Sequence, residues 1–247
     1  MFFRGLSALV ALASTAYAAC TSCTSCANST STCQVNRPGG LILLTTFWDY
    51  NPSTGPGDSF TIHGQWPDYC NGGYGSSCDS SRAYMGISSK LKNAGKTGLL
   101  NFMNKYWVDI NGDNESFWEH EVAKHMTCIS TLDPSCYPNY TQYEDLFDFL
   151  QTTTDLFKSY DIYGALTDAG ITPSSSKTYT LSQMQAATKA AFGQTTSFRC
   201  TSGNLNEVYI YFHTNGRSTT TDAFTQVAPL AGDTNCPSTG IKWLPKN

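Results

Sequence analysis

Apolar positions fall in short blocks along the chain, and their spacing changes from one block to the next. Leu41 to Trp48 and Phe60 to Trp66 are rich in β-formers, and the turn-prone run Asn51-Pro-Ser-Thr-Gly-Pro-Gly separates them. They read as two strands joined by a loop. Helical candidates follow at Ile87 to Asn93, Gly98 to Trp107 and Glu115 to about Cys128. Tyr143, Leu146, Phe147, Leu150 and Phe157 then recur at steps of three, four and seven, one face of a long amphipathic helix. Shorter helices are expected at Ile162 to Ala169 and Leu181 to Phe192, the second stopped by Gly193. Strands return at Phe198 to Thr201 and Glu207 to His213, where Val208, Ile210 and Phe212 alternate with Tyr209, Tyr211 and His213. Strands and helices segregate instead of alternating strictly, which predicts an α+β fold and not a doubly wound sheet.

The N-terminus changes the picture from fold to compartment. Arg4 precedes an apolar run from Gly5 to Ala13, and small residues end in Ala16-Tyr17-Ala18. This is the form of a secretory signal cleaved after Ala18, and the run is shorter than the roughly 20 apolar residues of a membrane span. A retained anchor is the alternative. The mature chain, residues 19–247, reads as one domain, because no linker or internal repeat interrupts it. All ten cysteines lie beyond the signal, an even number suited to an oxidising compartment. Cys20-x-x-Cys23-x-x-Cys26 could suggest zinc, but no downstream pair has finger spacing. Sequons at Asn28, Asn114 and Asn139 also point to secretion, into the extracellular space or a vacuolar or lysosomal compartment.

Charge narrows the function classes. There are 15 Lys and Arg against 19 Asp and Glu, with no basic stripe, which is not the profile of a tight nucleic-acid binder. Transient processing of a polyanion at acid pH, with carboxylates partly neutral and histidines charged, remains open.

Three of the four histidines fall in two aromatic-flanked segments, Phe60-Thr-Ile-His63-Gly-Gln-Trp66-Pro-Asp68 and Phe117-Trp-Glu-His120-Glu121-Val-Ala-Lys124-His125. On a helix turning about 100° per residue, His120, Lys124, Glu121 and His125 fall within about 140° of one another, leaving Glu119, Val122, Ala123 and Met126 to face the core. The step from His120 to His125 is five, not the four of a zinc-protease helix, and Lys124 would place a cation at the metal. The same cation suits a phosphate, and two imidazoles suit RNA cleavage, which needs a base for the 2′-hydroxyl and an acid for the departing 5′-oxygen. His213, on an alternating strand outside both segments, reads as structural; the alternative for Trp66 and Trp118 is an ordinary core aromatic, and Tyr74 could equally be a surface residue.

The two segments resemble the active-site blocks of the ribonuclease T2 family, H-G-L-W-P-D and H-E-x-x-K-H-G-T-C, most closely those of fungal secreted members. The resemblance runs on through Leu41 to Trp48, Cys128 to Cys136, Cys200 and Cys236. It implies an α+β, disulfide-bonded fold with a central antiparallel sheet and packed helices. It also implies a metal-independent endoribonuclease, with no cofactor, that cuts single-stranded RNA through a 2′,3′-cyclic phosphate to a 3′-phosphate under acid conditions. Position by position, the resemblance makes His125 the general base, His63 the general acid and His120 the phosphate holder, with Glu121 and Lys124 stabilising the transition state. Trp66, Asp68 and Tyr74 fall at the primary base pocket and Phe117 at the second. It further implies the disulfides Cys26–Cys70, Cys33–Cys136, Cys78–Cys128 and Cys200–Cys236; Cys20–Cys23 follows from parity alone.

Four features depart from the family: Gln65 stands for Leu, Thr46 for the Gln of many fungal relatives, Met126 for the Gly after the catalytic histidine, and Cys33-Gln34 for the adjacent Cys pair of close fungal relatives. The first two bear on base preference and the third on activity. The expected partner is RNA and neither DNA nor a membrane, and the protein is expected to be monomeric. The rival readings are a secreted binding or cytotoxic protein with weakened catalysis, and a glycosidase, for which no acid pair is recognisable.

Overall fold

The computed structural model describes residues 24–27 and 31–246. The signal segment, the Cys20–Cys23 pairing and the sequon at Asn28 lie outside the described residues. Five antiparallel strands form one sheet: β1 (Leu41–Phe47), β2 (Thr61–Asp68), β3 (Ser197–Thr201), β4 (Asn204–Thr214) and β5 (Phe224–Val227). The order is β2-β1-β4-β3, and β5 continues along β4 at Tyr211 to Thr214, beyond the stretch that β3 covers. The helices are α1 (Ile87–Asn93), α2 (Thr97–Tyr106), α3 (Asn114–Lys124), α4 (Glu144–Ser159), α5 (Ile162–Asp168) and α6 (Leu181–Phe192). The α+β arrangement expected from the segregated pattern is the one observed.

Alternation along the strands sorts the two faces of the sheet. Ile42, Leu44, Ile62, Val208, Ile210 and Phe212 point to the helical side and join the main core. Leu41, Leu43, Tyr209 and Tyr211 form a smaller cluster on the other face, with Trp66, Val227 and Leu230 packed on it. The buried stripe of α4 is displaced from the expected one: Leu146, Phe149, Leu150, Thr153, Leu156 and Phe157 are buried, whereas Tyr143 and Phe147 are half-buried. Tyr143 precedes the helix at φ 67°, so it no longer lies on its face. α6 begins with a reciprocal capping box between Thr180 and Gln183 and ends at Gly193, φ 92°.

Two elements differ from expectation. β5 is a four-residue strand whose pairing to β4 supports it, too short for an alternation signal. The helix expected from Glu115 to about Cys128 stops at Lys124; His125 caps it, and Met126–Cys128 continue as a 3-10 turn. Arg82, buried and paired with Asp145 at 3.0 Å, also donates to the Thr127 carbonyl at 3.3 Å, and Ser77 N–H donates to the Lys124 carbonyl at 2.9 Å. These bonds fix the turn that follows His125.

The disulfides are Cys26–Cys70, Cys33–Cys136, Cys78–Cys128 and Cys200–Cys236, the four pairs that the resemblance implies. No helix among the described residues is long and apolar enough to cross a membrane.

Candidate active site

β2 is an edge strand, and regular alternation would put His63 and Trp66 on opposite faces. The β1–β2 register prevents this: Thr45 pairs with Gly64 and Thr46 with Ile62, leaving His63 as an extra residue in a bulge. One inserted residue restores the parity, and the His63 and Trp66 rings meet edge to face, centroids 4.6 Å apart. The His63 carbonyl accepts the indole N–H of buried Trp107 at 2.9 Å. Phe47 stacks on the His63 ring at 4.0 Å, and Phe117 approaches to 5.8 Å.

α3 delivers the second block. Asp113 caps its N-terminus by accepting from Ser116 N–H, and Trp118, Val122 and Met126 anchor it in the core. Glu119 and Ala123, expected to face that core, are half-buried instead. The reason lies in α1: Glu119 accepts the Gly86 N–H at 2.7 Å and Glu115 that of Ser88 at 3.1 Å, satisfying donors that a helix start leaves free.

Glu121 is the centre of the site. Fully buried, it accepts the Trp66 indole N–H at 2.9 Å and holds Oε1 3.7 Å from His63 Nε2. Its position explains Gly64, where a Cβ would lie 1.9 Å from the Glu121 carboxylate. Trp66 stacks flat on His125, 4.8 Å between centroids and 14° between planes. The indole is therefore wedged between the two imidazoles, with at most one face left for a base. His120 is exposed, its ring 6.5 Å from that of His125. Lys124 sits over Tyr74 at 5.7 Å.

Burial governs the charges. It pushes His63 down to about 3, with His120 and Lys124 adding to the effect, and His125 to about 3, with Lys124, His63 and His120 adding. Burial pushes Glu121 up to about 8, against the pull of Trp66 and Lys124, and lowers His120 together with Lys124. Among the described residues, His63 Nδ1 and both His125 ring nitrogens have no hydrogen-bond partner. Perturbed, incompletely partnered titratable groups of this kind cluster at functional sites.

The flanks differ. A bridge between Asp68 and Tyr74 sets these two side by side, Tyr74 being 55% exposed and its ring 6.3 Å from His125. Asp68 is pushed up to about 7 by burial, with Asp233 adding, and its Oδ1 is buried without a partner. On the other side, Phe47, Val108, Ile110 and Phe117 line an open pocket of about 310 Å³.

The remaining sequence candidates separate from the site. Gln65 and Thr46 face the core: Gln65 accepts from Thr153 at 3.1 Å, and Thr46 donates to the Val208 carbonyl at 2.8 Å. Met126 is fully buried beside Trp118 and Val122, and it is not among the residues with positive φ. Trp118 is a core residue whose indole donates to the Trp107 carbonyl at 2.8 Å. His213 belongs to the sheet, opposite Leu41 and Thr225. Sequence reasoning missed Phe47, Trp107 and Glu207. Phe47 ends an apolar strand and Trp107 a helix, where core roles are the ordinary expectation; Glu207 is a lone carboxylate placed by strand register.

Comparison with known proteins agrees with this geometry. The model of the ribonuclease T2 family matches residues 21–226. Ribonuclease T2 of Aspergillus oryzae is 47% identical over 223 residues, spanning 89% of this chain and 80% of that protein. Ribonuclease M of Aspergillus phoenicis is 47% identical over 224 residues, 89% and 93% of the two chains. The 1.7 Å crystal structure of Actibind, described as one of the T2 ribonucleases acting as antitumorigenic agents, superposes with a TM-score of 0.84 at 47% identity, over 89% of this chain and 93% of that one. With both blocks assembled at one cleft and the match running through most of its length, this chain belongs to the ribonuclease T2 family.

Proposed function

We propose that the protein is an endoribonuclease that cuts single-stranded RNA by attack of the 2′-hydroxyl on the adjacent phosphate, using His125 as base and His63 as acid. The observation that carries this reading is the pair of imidazoles on either side of Trp66, with Glu121 and Lys124 on the same wall. The asymmetry between the rings supports the assignment. Glu121 Oε1 and Glu207 Oε1 stand 3.7 and 4.0 Å from His63, acceptors for its protonated form, whereas His125 has no carboxylate at such a distance among the described residues; Lys124 disfavours charge on both rings. A phosphate entering the cleft adds negative charge and draws a proton onto His63.

His125 takes the 2′-hydroxyl proton as the oxygen attacks phosphorus, and His63 gives its proton to the departing 5′-oxygen. Lys124 and His120 offset the charge on the non-bridging oxygens, and neutral Glu121 can donate to one of them. In the second step the roles reverse: His63 takes a proton from water and His125 returns one to the 2′-oxygen, opening the cyclic phosphate to a 3′-phosphate. None of these steps routes through a metal or a cofactor.

Trp66, Asp68 and Tyr74 supply the primary base pocket; Asp68, held up to about 7, can offer both a donor and an acceptor to a base edge at mildly acid pH. Phe117, with Phe47, supplies the second. The mature chain, residues 19–247, acts as a secreted monomer, with glycans at Asn28, Asn114 and the exposed Asn139.

The test is product chemistry. An oligoribonucleotide should be cut to 2′,3′-cyclic and then 3′-phosphate ends in the presence of a chelator, while a strand with one 2′-deoxynucleotide should resist at that position. Products ending in 5′-phosphate, or cleavage at the deoxy position, would overturn the mechanism.

A further inference from the structure

Resting on the reading of His63 as the acid, we propose that Glu207 is its positioning residue, a carboxylate at the Nδ1 edge of the ring that fixes the Nδ1–H tautomer and leaves Nε2 to exchange protons with substrate. The geometry is set by the sheet. Glu207 stands opposite Phe47 in the β1–β4 register, and Phe47 is the ring stacked on His63. This brings Glu207 Oε1 to 4.0 Å from His63 Nδ1, an ion-pair distance. That nitrogen is buried and lacks a hydrogen-bond partner among the described residues, so the ring's second proton has a carboxylate to face and little water.

Glu207 is itself held. Its Oε2 accepts the Tyr209 hydroxyl, and Arg199 stands opposite it in the β3–β4 register. Tyr209 in turn meets Trp66 edge to face at 5.6 Å, so the support for His63 Nδ1 and for the indole beside Nε2 is one continuous surface. The charged and titratable groups facing His63 are Glu121, Lys124 and His120 from α3, Glu207 from β4, and His125 across Trp66. Those facing Glu207 are Tyr209, Arg199 and Asp49. Burial raises Glu207 while Tyr209 and Arg199 pull it down.

The role follows from the proton path. After Nε2–H has gone to the 5′-oxygen, the neutral ring must keep its proton on Nδ1, or Nε2 could not accept one from water in the second step. A carboxylate beside Nδ1 favours that tautomer and raises the proton affinity of the ring.

Two measurements test this. In the unmodified protein, nitrogen-15 spectra of the neutral His63 ring should show the Nδ1–H tautomer; Nε2–H overturns the proposal. In Glu207→Gln, kcat for a dinucleotide should fall about tenfold with KM within threefold, and the alkaline limb of kcat should move down by about one pH unit. Glu207→Asp, one methylene short, should fall between. A pH profile superimposable on the parent's, or a change confined to KM, also overturns the proposal. If the unmodified protein cleaves no RNA, the catalytic reading fails instead; if it cleaves while tautomer and profile are indifferent to Glu207, only this inference does.

Discussion

Gly64 shows how tightly single residues are specified at the cleft. Its Cα faces the Glu121 carboxylate so closely that an added methyl would lie 1.9 Å from Oε2 and 3.0 Å from the Trp66 indole nitrogen. Gly64→Ala must displace Glu121, a buried group whose Oε2 is tied to Trp66. The expected outcome is a loss of about 10²-fold or more in kcat/KM, because misplacing catalytic groups by about 1 Å is costly in rate, with a stability loss of about 1–3 kcal/mol. Steady-state kinetics on a dinucleotide and urea denaturation check the two together. Met126 is a contrast. It replaces a glycine of the family pattern, yet its side chain fills core space and its backbone needs no left-handed conformation. The residue-scale reading of the helix, which sent Met126 to the apolar side, holds even though the helix itself ends two residues earlier.

At the scale of elements, the bulge in β2 decides whether the first block is a site at all. The bulge leaves the His63 carbonyl to the indole of Trp107, which follows α2 immediately. Trp107→Phe keeps the bulk and removes that bond. It should cost about 1–3 kcal/mol for an unpaired buried carbonyl, and lower kcat by about tenfold with little change in KM, since Trp107 sits behind the ring and not in the cleft. Single-turnover rates against thermal unfolding in the same buffer separate the two effects; an unchanged kcat would show that β1 pairing alone holds the bulge. The element boundaries were largely legible beforehand. α1 and α6 fall where periodicity and stop signals place them, because each is bounded by its own glycine or cap. The end of α3 was not, because the buried Arg82 contact at the Thr127 carbonyl and the Cys78–Cys128 bridge, both long-range, shape the turn after His125.

For the whole molecule, the buried site ties stability to pH. Glu121 and Asp68 titrate near 8 and 7 when folded, against ordinary values of 4.5 and 3.8. Across that window the unfolded chain has released protons that the folded one keeps, so rising pH lowers stability. His63 and His125 titrate near 3 against an ordinary 6.5, so between those values the unfolded chain takes up protons that the folded one refuses, and falling pH lowers stability. Between about pH 4.5 and 6.5 the two trends oppose each other. Thermal unfolding should therefore give a maximum in the mildly acid range, with arms of up to roughly 1.4 kcal/mol per pH unit for each group. Glu121→Gln should flatten the arm between pH 6.5 and 8 and leave the acid arm in place. An undiminished alkaline arm in that variant would remove Glu121 as its cause. The four disulfides shift the curve as a whole without changing its shape, the one closing 103 residues contributing most in a chain-entropy account.

Local pattern alone carries the α+β class, most element positions and the two motifs whose side chains the fold brings together. These depend on local spacing and on capping chemistry, which short stretches of chain record. It also identified His213 as a sheet residue, since alternation alone places it. How those side chains meet is set by strand register and long-range packing. Strand register set the bulge that turns His63 toward Trp66 and brought Glu207 to its other edge. Long-range packing put a carboxylate against Gly64, sent Gln65 and Thr46 into the core, and wedged Trp66 between the imidazoles. The physical reason is parity: in a strand, one inserted residue exchanges inside for outside, and no local pattern records an insertion that a partner strand 15 or more residues away selects.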